Sequence, residues 1–218
     1  MPRTSGHARI GRLHVLTDFT FQQRLTHAEM ADAAIRGGAD VIQFRQKAGS
    51  IRDILANASE VAEVCRAGGA TLLVDDRVDV ALAVGADGVH LGQTDMPLAE
   101  ARKVLGDDAI IGITAPSIAE ARDAEAGGAD YIGFGPVYPT RSKANPSSVK
   151  GLEGVLEMAN SVDLPIIGIA GITARRCADV LRAGAHGVAV MTAISCADDP
   201  EEATRQFAQT IEALTLSG

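Results

Sequence analysis

Gly38-Ala39-Asp40 leads into Val41-Ile42-Gln43-Phe44, and near copies of that joint recur along the chain. Gly85-Ala86-Asp87 precedes Gly88-Val89-His90-Leu91, and Gly128-Ala129-Asp130 precedes Tyr131-Ile132-Gly133-Phe134. The last copy, Gly184-Ala185-His186, precedes Gly187-Val188-Ala189-Val190. Each reads as one joint. Glycine ends a helix because it takes positive φ without strain, and the next residues turn the chain into a buried strand. The copies lie about two β-α units apart, so further strands belong between them. That period predicts an α/β chain closed into a single (β/α)8 TIM barrel, whose chemistry sits on the loops after its strands.

The rest of the chain fits this period. Short β-rich runs begin near Leu13, Val41, Thr71, Gly88, Ile110, Tyr131, Pro165 and Gly187, and they alternate with segments at helical period. Helices are expected over roughly 50–67, 173–183 and 200–213, with Thr173 as an N-cap. Six strands in a doubly wound sheet is the alternative architecture. The domain reading is an N-terminal extension over 1–12 and one barrel over 13–218. The polar stretch from Gly135 to Gly151, with Pro136, Pro139, Arg141, Asn145 and Pro146, is too long for an idle connection and is expected to be a lid or binding loop.

Composition narrows the function. The 218 residues are 46% hydrophobic and 22% charged, with net charge -8, so no basic face for nucleic acid is expected. No apolar run reaches the length of about 18 residues that a membrane helix needs, and no apolar stretch follows Met1 to His7 as in a signal peptide. Cys65, Cys177 and Cys196 are scattered, which fits reduced thiols in the cytoplasm better than a disulfide or metal cluster. Small-molecule substrates are the expected partners, and homo-oligomerisation stays open.

Charged residues gather at the strand ends. Gln43, Arg45 and Lys47 alternate along the second strand, so they share a face at the barrel mouth. Two cations there suit a phosphate or diphosphate; the plainer alternative is that they pair with acids around the rim. The third strand ends in Val74-Asp75-Asp76-Arg77 and the fourth in Leu91-Gly92-Gln93-Thr94-Asp95. Asp76 and Asp95 on neighbouring strands suit Mg²⁺, which is held by one or two carboxylates plus waters and substrate phosphates. The alternative is that Asp76 pairs with Arg77 or caps the next helix. After the seventh and eighth strands, Gly171 and the run Met191-Thr192-Ala193 lie where such barrels bind phosphate through backbone N–H groups and a helix start. The mouth thus holds two anion sites of different build. Among the histidines, His90 reads as a hydrogen-bonded core residue, His14 and His186 lie at the stability face, and His7 and His27 read as exposed. There is no Ser-His-Asp arrangement and no zinc motif.

Taken in order, the carrying segments are Gln43-x-Arg45-x-Lys47, Asp76-Arg77-Val78-Asp79, Gly88-Val89-His90-Leu91-Gly92-Gln93-x-Asp95 and Gly133-x-Gly135-Pro136-Val137-Tyr138-Pro139-Thr140-x-Ser142-Lys143. With Gly171-Ile172 and Thr192-Ala193-Ile194, this series resembles the thiamine phosphate synthase family from Leu13 to about Phe207. The resemblance implies a transferase that joins hydroxymethylpyrimidine diphosphate to a thiazole phosphate, giving thiamine phosphate and pyrophosphate. It implies that Gln43, Arg45 and Lys47 hold the pyrimidine diphosphate, that Asp76 and Asp95 bind Mg²⁺, and that Thr114 sits by the leaving diphosphate. It also implies Thr140 and Ser142 near the thiazole phosphate, Lys143 on the diphosphate, and backbone contacts from Gly171, Met191 and Thr192. Several positions depart from the family's pattern. Asp75 stands where Asn is usual, facing the pyrimidine, Thr114 where Ser is usual, and Ser142 where Thr is usual. Ala170 replaces the first glycine of a frequent pair, and Gln46 stands where Glu is common. The competing readings are the related thiazole tautomerase, whose loop histidine is missing from Thr114-Ala115-Pro116-Ser117, and a barrel that binds ligand without catalysis.

Overall fold

The computed structural model describes residues 10–140 and 148–216. Eight parallel strands close into one barrel in sequence order. The elements are β1 (Leu13–Thr17), α1 (His27–Arg36), β2 (Val41–Phe44), α2 (Ile51–Gly68), β3 (Thr71–Asp75), α3 (Val78–Val84), β4 (Gly88–Leu91) and α4 (Leu98–Leu105). Then come β5 (Ile110–Thr114), α5 (Ile118–Ala126), β6 (Tyr131–Phe134), α6 (Gly151–Ala159), β7 (Ile166–Ile169), α7 (Ala174–Arg182), β8 (Gly187–Val190), the short α8 (Thr192–Ser195) and α9 (Pro200–Thr215). The closed barrel replaces the open-sheet alternative. The seventh strand begins at Ile166, one residue after Pro165, which has no N–H and serves the ladder only through its carbonyl, accepting from Ile132 N at 2.9 Å.

The recurring joint has a structural reason for its two-unit period. Gly38, Gly85, Gly128 and Gly184 all have positive φ. The third residue of each copy then reaches the strand before its own. Its backbone N–H donates to Leu13 O, Leu72 O, Ile111 O and Ile166 O respectively. In the three aspartate copies the carboxylate also accepts from that strand's start. Asp40 takes Arg12 N and Leu13 N, Asp87 takes Leu72 N, and Asp130 takes Ile111 N, all at 2.8 to 2.9 Å. The joint therefore clips strands in pairs: β1 with β2, β3 with β4, β5 with β6. In the fourth copy His186 keeps only the backbone half, and its ring instead bonds Ile10 O at 2.8 Å, beneath the barrel.

Apolar packing forms two regions. One lies between strands and helices. The other fills the barrel interior with Leu16, Val41, Leu73, Ile110, Tyr131, Ile167 and Ala189, and Ile10 joins it. Residues 141–147, which include Arg141, Ser142 and Lys143 of the expected lid, lie outside the described residues. The segment leading into them is tied down: Val137 N donates to Ile169 O at 2.9 Å and Tyr138 N to Ala170 O at 3.1 Å.

His27 is buried at 1% exposure rather than exposed. Thr26 and Glu29 form a capping box that starts α1 against the barrel. This turns His27 inward between Phe19 and Phe44, with Nδ1 2.6 Å from Thr17 Oγ1. Its Nε2 is buried without a partner. Burial pushes its pKa down to about 4, and burial pushes that of His14 down to about 3. Both rings are neutral in the fold, whereas in the unfolded chain they take up protons near pH 6.5. Their contribution to stability is complete above about 6.5 and is lost as pH falls toward the folded values. Each ring should cost about 1.4 kcal/mol per pH unit in that window. Urea midpoints measured at about pH 6.5 and about pH 5, above most carboxylate titrations, should therefore drop clearly. Equal midpoints would contradict the neutral assignment.

Candidate active site

The C-terminal ends of the strands open into one cavity of about 970 Å³. Its lining includes Gln43, Arg45, Lys47, Asp75, Asp76, Asp95, Thr114, Thr140, Gly171, Met191 and Thr192. Every site residue expected from the sequence is thus in one place, except Ser142 and Lys143, which lie outside the described residues.

On the β2–β4 side the cations are partnered. Arg45 pairs with Asp18 through Nη1 and with Asp75 through Nε at 3.2 Å. Lys47 pairs with Asp75 at 2.9 Å and also with Asp76. The rim-pairing alternative is therefore what the geometry contains, with the anion-clamp residues at its centre. Asp18 was not singled out in the sequence. It follows directly on β1 and is 3% exposed, so its position at a strand end was the available signal. Asp75, the departure from the family's Asn, is the shared partner of both cations.

Asp76 is not taken by Arg77. That guanidinium grips Asp79 instead, Nε to Oδ1 at 2.8 Å and Nη2 to Oδ2 at 2.5 Å. Nor does Asp76 cap α3, whose N-cap is Arg77. Asp76 has φ 60, in the left-handed region that non-glycine residues seldom occupy, and its N–H donates to His90 O at 2.9 Å. Such a turn at a strand end aims the carboxylate at the mouth. Asp95 Oδ2 accepts from Gly92 N at 2.6 Å, which fixes the second carboxylate. Two oriented aspartates lining one cavity form a hard oxygen donor set, and they fit Mg²⁺, which draws its remaining ligands from phosphates and water.

The floor of the mouth is a polar column that the sequence did not reveal, buried at His14, Gln43 and Tyr131 and half-buried at His90 and Thr114. Tyr131 stacks on His90 with ring centroids 5.4 Å apart and meets His14 edge-on at the same distance. His90 Nδ1 lies 2.9 Å from the Tyr131 hydroxyl and Nε2 lies 2.8 Å from Thr114 Oγ1. Gln43 bonds the same hydroxyl. Burial pushes the His90 pKa down, against the pull of the Asp75 and Asp95 charges, and burial pushes that of Tyr131 up. Both stay neutral. A neutral imidazole has one donor and one acceptor nitrogen, so His90 passes one hydrogen-bond direction from Tyr131 to Thr114. His90 is hydrogen-bonded as expected, but it is half-buried at the cavity wall rather than in the core, and it holds a mouth residue in place.

The β7–β8 side is built differently. Gly171 has φ 66, and a Cβ on it would lie 2.6 Å from Pro139 O and 2.7 Å from Tyr138 Cβ. Only glycine lets Tyr138-Pro139 pack against this turn. Ala170 beside it has φ 79, a position that suits the glycine usual in the family. Thr173 precedes α7 without making a side-chain cap, and Thr192 opens α8. Arg176, on the first turn of α7, also lines the cavity.

Comparison with known proteins accords with this build. A family model described as thiamine monophosphate synthase matches residues 13–194. A thiamine-phosphate synthase of Salinibacter ruber is 56% identical over 203 residues, covering 93% of this chain and 89% of the relative. One of Chloroflexus aurantiacus is 45% identical over 196 residues, covering 90% of each. The solved structure of a thiamine phosphate pyrophosphorylase from Pyrococcus furiosus superposes with TM-score 0.85 at 38% identity, covering 93% of this chain and 96% of the other. A 3-hexulose-6-phosphate synthase, at 19% identity and TM-score 0.66, shares the fold alone. The chain is accordingly a (β/α)8-barrel transferase acting on small molecules. It belongs to the thiamine monophosphate synthase family, and its function is that of a thiamine-phosphate synthase.

Proposed function

We propose that the two sides of the mouth divide the reaction between them. The β2–β4 side takes hydroxymethylpyrimidine diphosphate, and the β7–β8 side takes the thiazole phosphate. The observation that carries this reading is the charge balance of the first side. Arg45 and Lys47 face Asp18, Asp75, Asp76 and Asp95, two cations against four carboxylates. A diphosphate cannot settle there on protein charge alone, and a divalent cation cancels the negative excess. Asp76 and Asp95 would hold Mg²⁺. When bound, it would neutralise the diphosphate and stabilise charge on the leaving group.

The chain's own residues do the remaining work. Arg45 and Lys47 turn from their carboxylate partners toward the diphosphate. Thr114, held by His90, offers its hydroxyl to the leaving group. Lys143 adds a cation from the 135–151 loop, and Thr140 and Ser142 approach the thiazole phosphate. Gly171, Met191 and Thr192 contribute backbone contacts to that phosphate. The C–O bond to diphosphate breaks, its electron pair leaves with pyrophosphate, and the pyrimidine stabilises the resulting carbocation. The thiazole nitrogen then attacks that carbon. No protein nucleophile takes part, so catalysis rests on positioning and on charge stabilisation. Asp75 accepts from the pyrimidine's amino group once Arg45 and Lys47 turn to the ligand, where the family's usual Asn would also donate. The free thiols of Cys65 and Cys177, buried and pushed up to about 12 and about 11 mainly by burial, suit a reducing cytoplasm.

Incubation with both substrates and Mg²⁺ should yield thiamine phosphate and pyrophosphate in equal amounts. Excess chelator should abolish the reaction, and added Mg²⁺ should restore it. Full activity in chelator would remove the metal from the scheme.

A further inference from the structure

Three cations among the described residues line the mouth: Arg45, Lys47 and Arg176. The first two are held by carboxylates. Arg176 is held differently. Its Nη1 donates to Gly171 O at 2.9 Å, and its guanidinium lies 4.4 Å from the centroid of the Tyr138 ring. Among the described residues no carboxylate pairs with it. The hydrogen bond and the aromatic face together fix the plane of the guanidinium, and most of its five N–H groups remain available. α7, which carries Arg176 in its first turn, has no acidic residue in that turn and no side-chain cap from Thr173. The positive end of the helix and the arginine charge therefore add in the same corner of the mouth.

We propose that Arg176 is a recognition residue for the phosphate monoester of the thiazole substrate, adding a fixed, planar charge to the backbone contacts of the Gly171 and Thr192 turns. The inference rests on the assignment of the thiazole phosphate to the β7–β8 side. A guanidinium placed beside a backbone phosphate cradle converts a site that tolerates an anion into one that demands it. The plainer role, a clip that holds the Gly171 turn to Tyr138, makes a different forecast. A clip that only sets the Gly171 cradle would also favour the ester over the alcohol, but a direct phosphate contact alone makes ester binding depend on the charge at 176. The salt dependence of ester binding should therefore fall in Arg176→Met and be kept in Arg176→Lys.

The test compares the parent protein with Arg176→Met and Arg176→Lys. Binding of the thiazole phosphate and of the unphosphorylated thiazole alcohol is measured by calorimetry, alongside steady-state kinetics with both substrates. Arg176→Met should weaken the phosphate ester about tenfold or more, in both Kd and KM, the scale of one charge-assisted contact. The alcohol, the KM for the pyrimidine diphosphate and kcat should stay within about twofold of the parent. Arg176→Lys should recover part of the loss. An unchanged preference for ester over alcohol would overturn the proposal, and so would equal weakening of both ligands, or an ester affinity whose salt dependence is the same in Arg176→Met as in the parent. If the parent makes no thiamine phosphate, the reading of the mouth fails separately, and the ester-to-alcohol ratio with the salt dependence of ester binding still decides the role of Arg176.

Discussion

Asp76→Asn is expected to lower kcat by about 10²-fold or more while shifting Tm by no more than about 4 °C. Asparagine is the substitution that isolates the charge. Asp76 sits at φ 60, and Asn is among the few residues that tolerate the left-handed region, so the backbone turn survives. The bond from Asp76 N to His90 O is kept as well. The fold loses only the partly exposed pairing with Lys47, and such pairs contribute about 1 kcal/mol or less. On the proposed reading, the reaction loses one of the two carboxylates that would hold the metal on the side where the leaving group's charge develops. Activity within about threefold of the parent at saturating Mg²⁺ would show that Asp76 is not a ligand. Asp76→Ala would be a poorer probe, because it adds backbone strain to the loss of charge.

Gly112→Ala is expected to destabilise the barrel by roughly 2–4 kcal/mol and to reduce activity beyond what stability explains. A Cβ on Gly112 would overlap the Tyr131 ring and lie 2.5 Å from its hydroxyl oxygen. Tyr131 is 1% exposed, and its ring is confined by His14 and His90, so it has nowhere to retreat. Gly133 makes the matching space on the next strand, where a Cβ would lie 2.7 Å from His90 Cε1. Two strand glycines thus admit two rings into the barrel, and the rings carry the hydrogen bond that sets Thr114. Urea unfolding gives the stability loss. Kinetics at a temperature where the variant is fully folded give the effect on the site. A variant as stable as the parent would mean that the column is loosely packed.

The starts of β2, β4, β6 and β8 were legible because one local device repeats: a positive-φ glycine followed, in three of the four copies, by a carboxylate that clips the preceding strand. Asp76 and Asp95 were legible for a related reason, since strand ends in a barrel converge whatever lies between them. Other features depend on contacts that no spacing encodes. His27 follows a capping Thr26, a pattern compatible with either a solvent face or a buried first turn, and only the packing of α1 against Phe44 decides between them. Asp18 is one acid after a strand until Arg45, 27 residues away, reaches it. Arg176 reads as an ordinary helix-surface arginine; its bond to Gly171 is local, but its contact to Tyr138 exists only once β6 and β7 are neighbours. The sequence shows His90 inside a strand, but its link to Thr114 crosses from β4 to β5 and needs the strand register to bring the two side chains together.

The most direct measurement of the division of labour is a crystal structure of the protein grown with Mg²⁺, pyrophosphate and thiamine phosphate. The expected result is a metal ion bonded to Asp76, Asp95 and pyrophosphate oxygens, with Arg45 and Lys47 turned onto the pyrophosphate and the phosphoryl group of thiamine phosphate at the backbone of Gly171, Met191 and Thr192. A metal ion bound away from both aspartates, or pyrophosphate seated on the β7–β8 side, would contradict it.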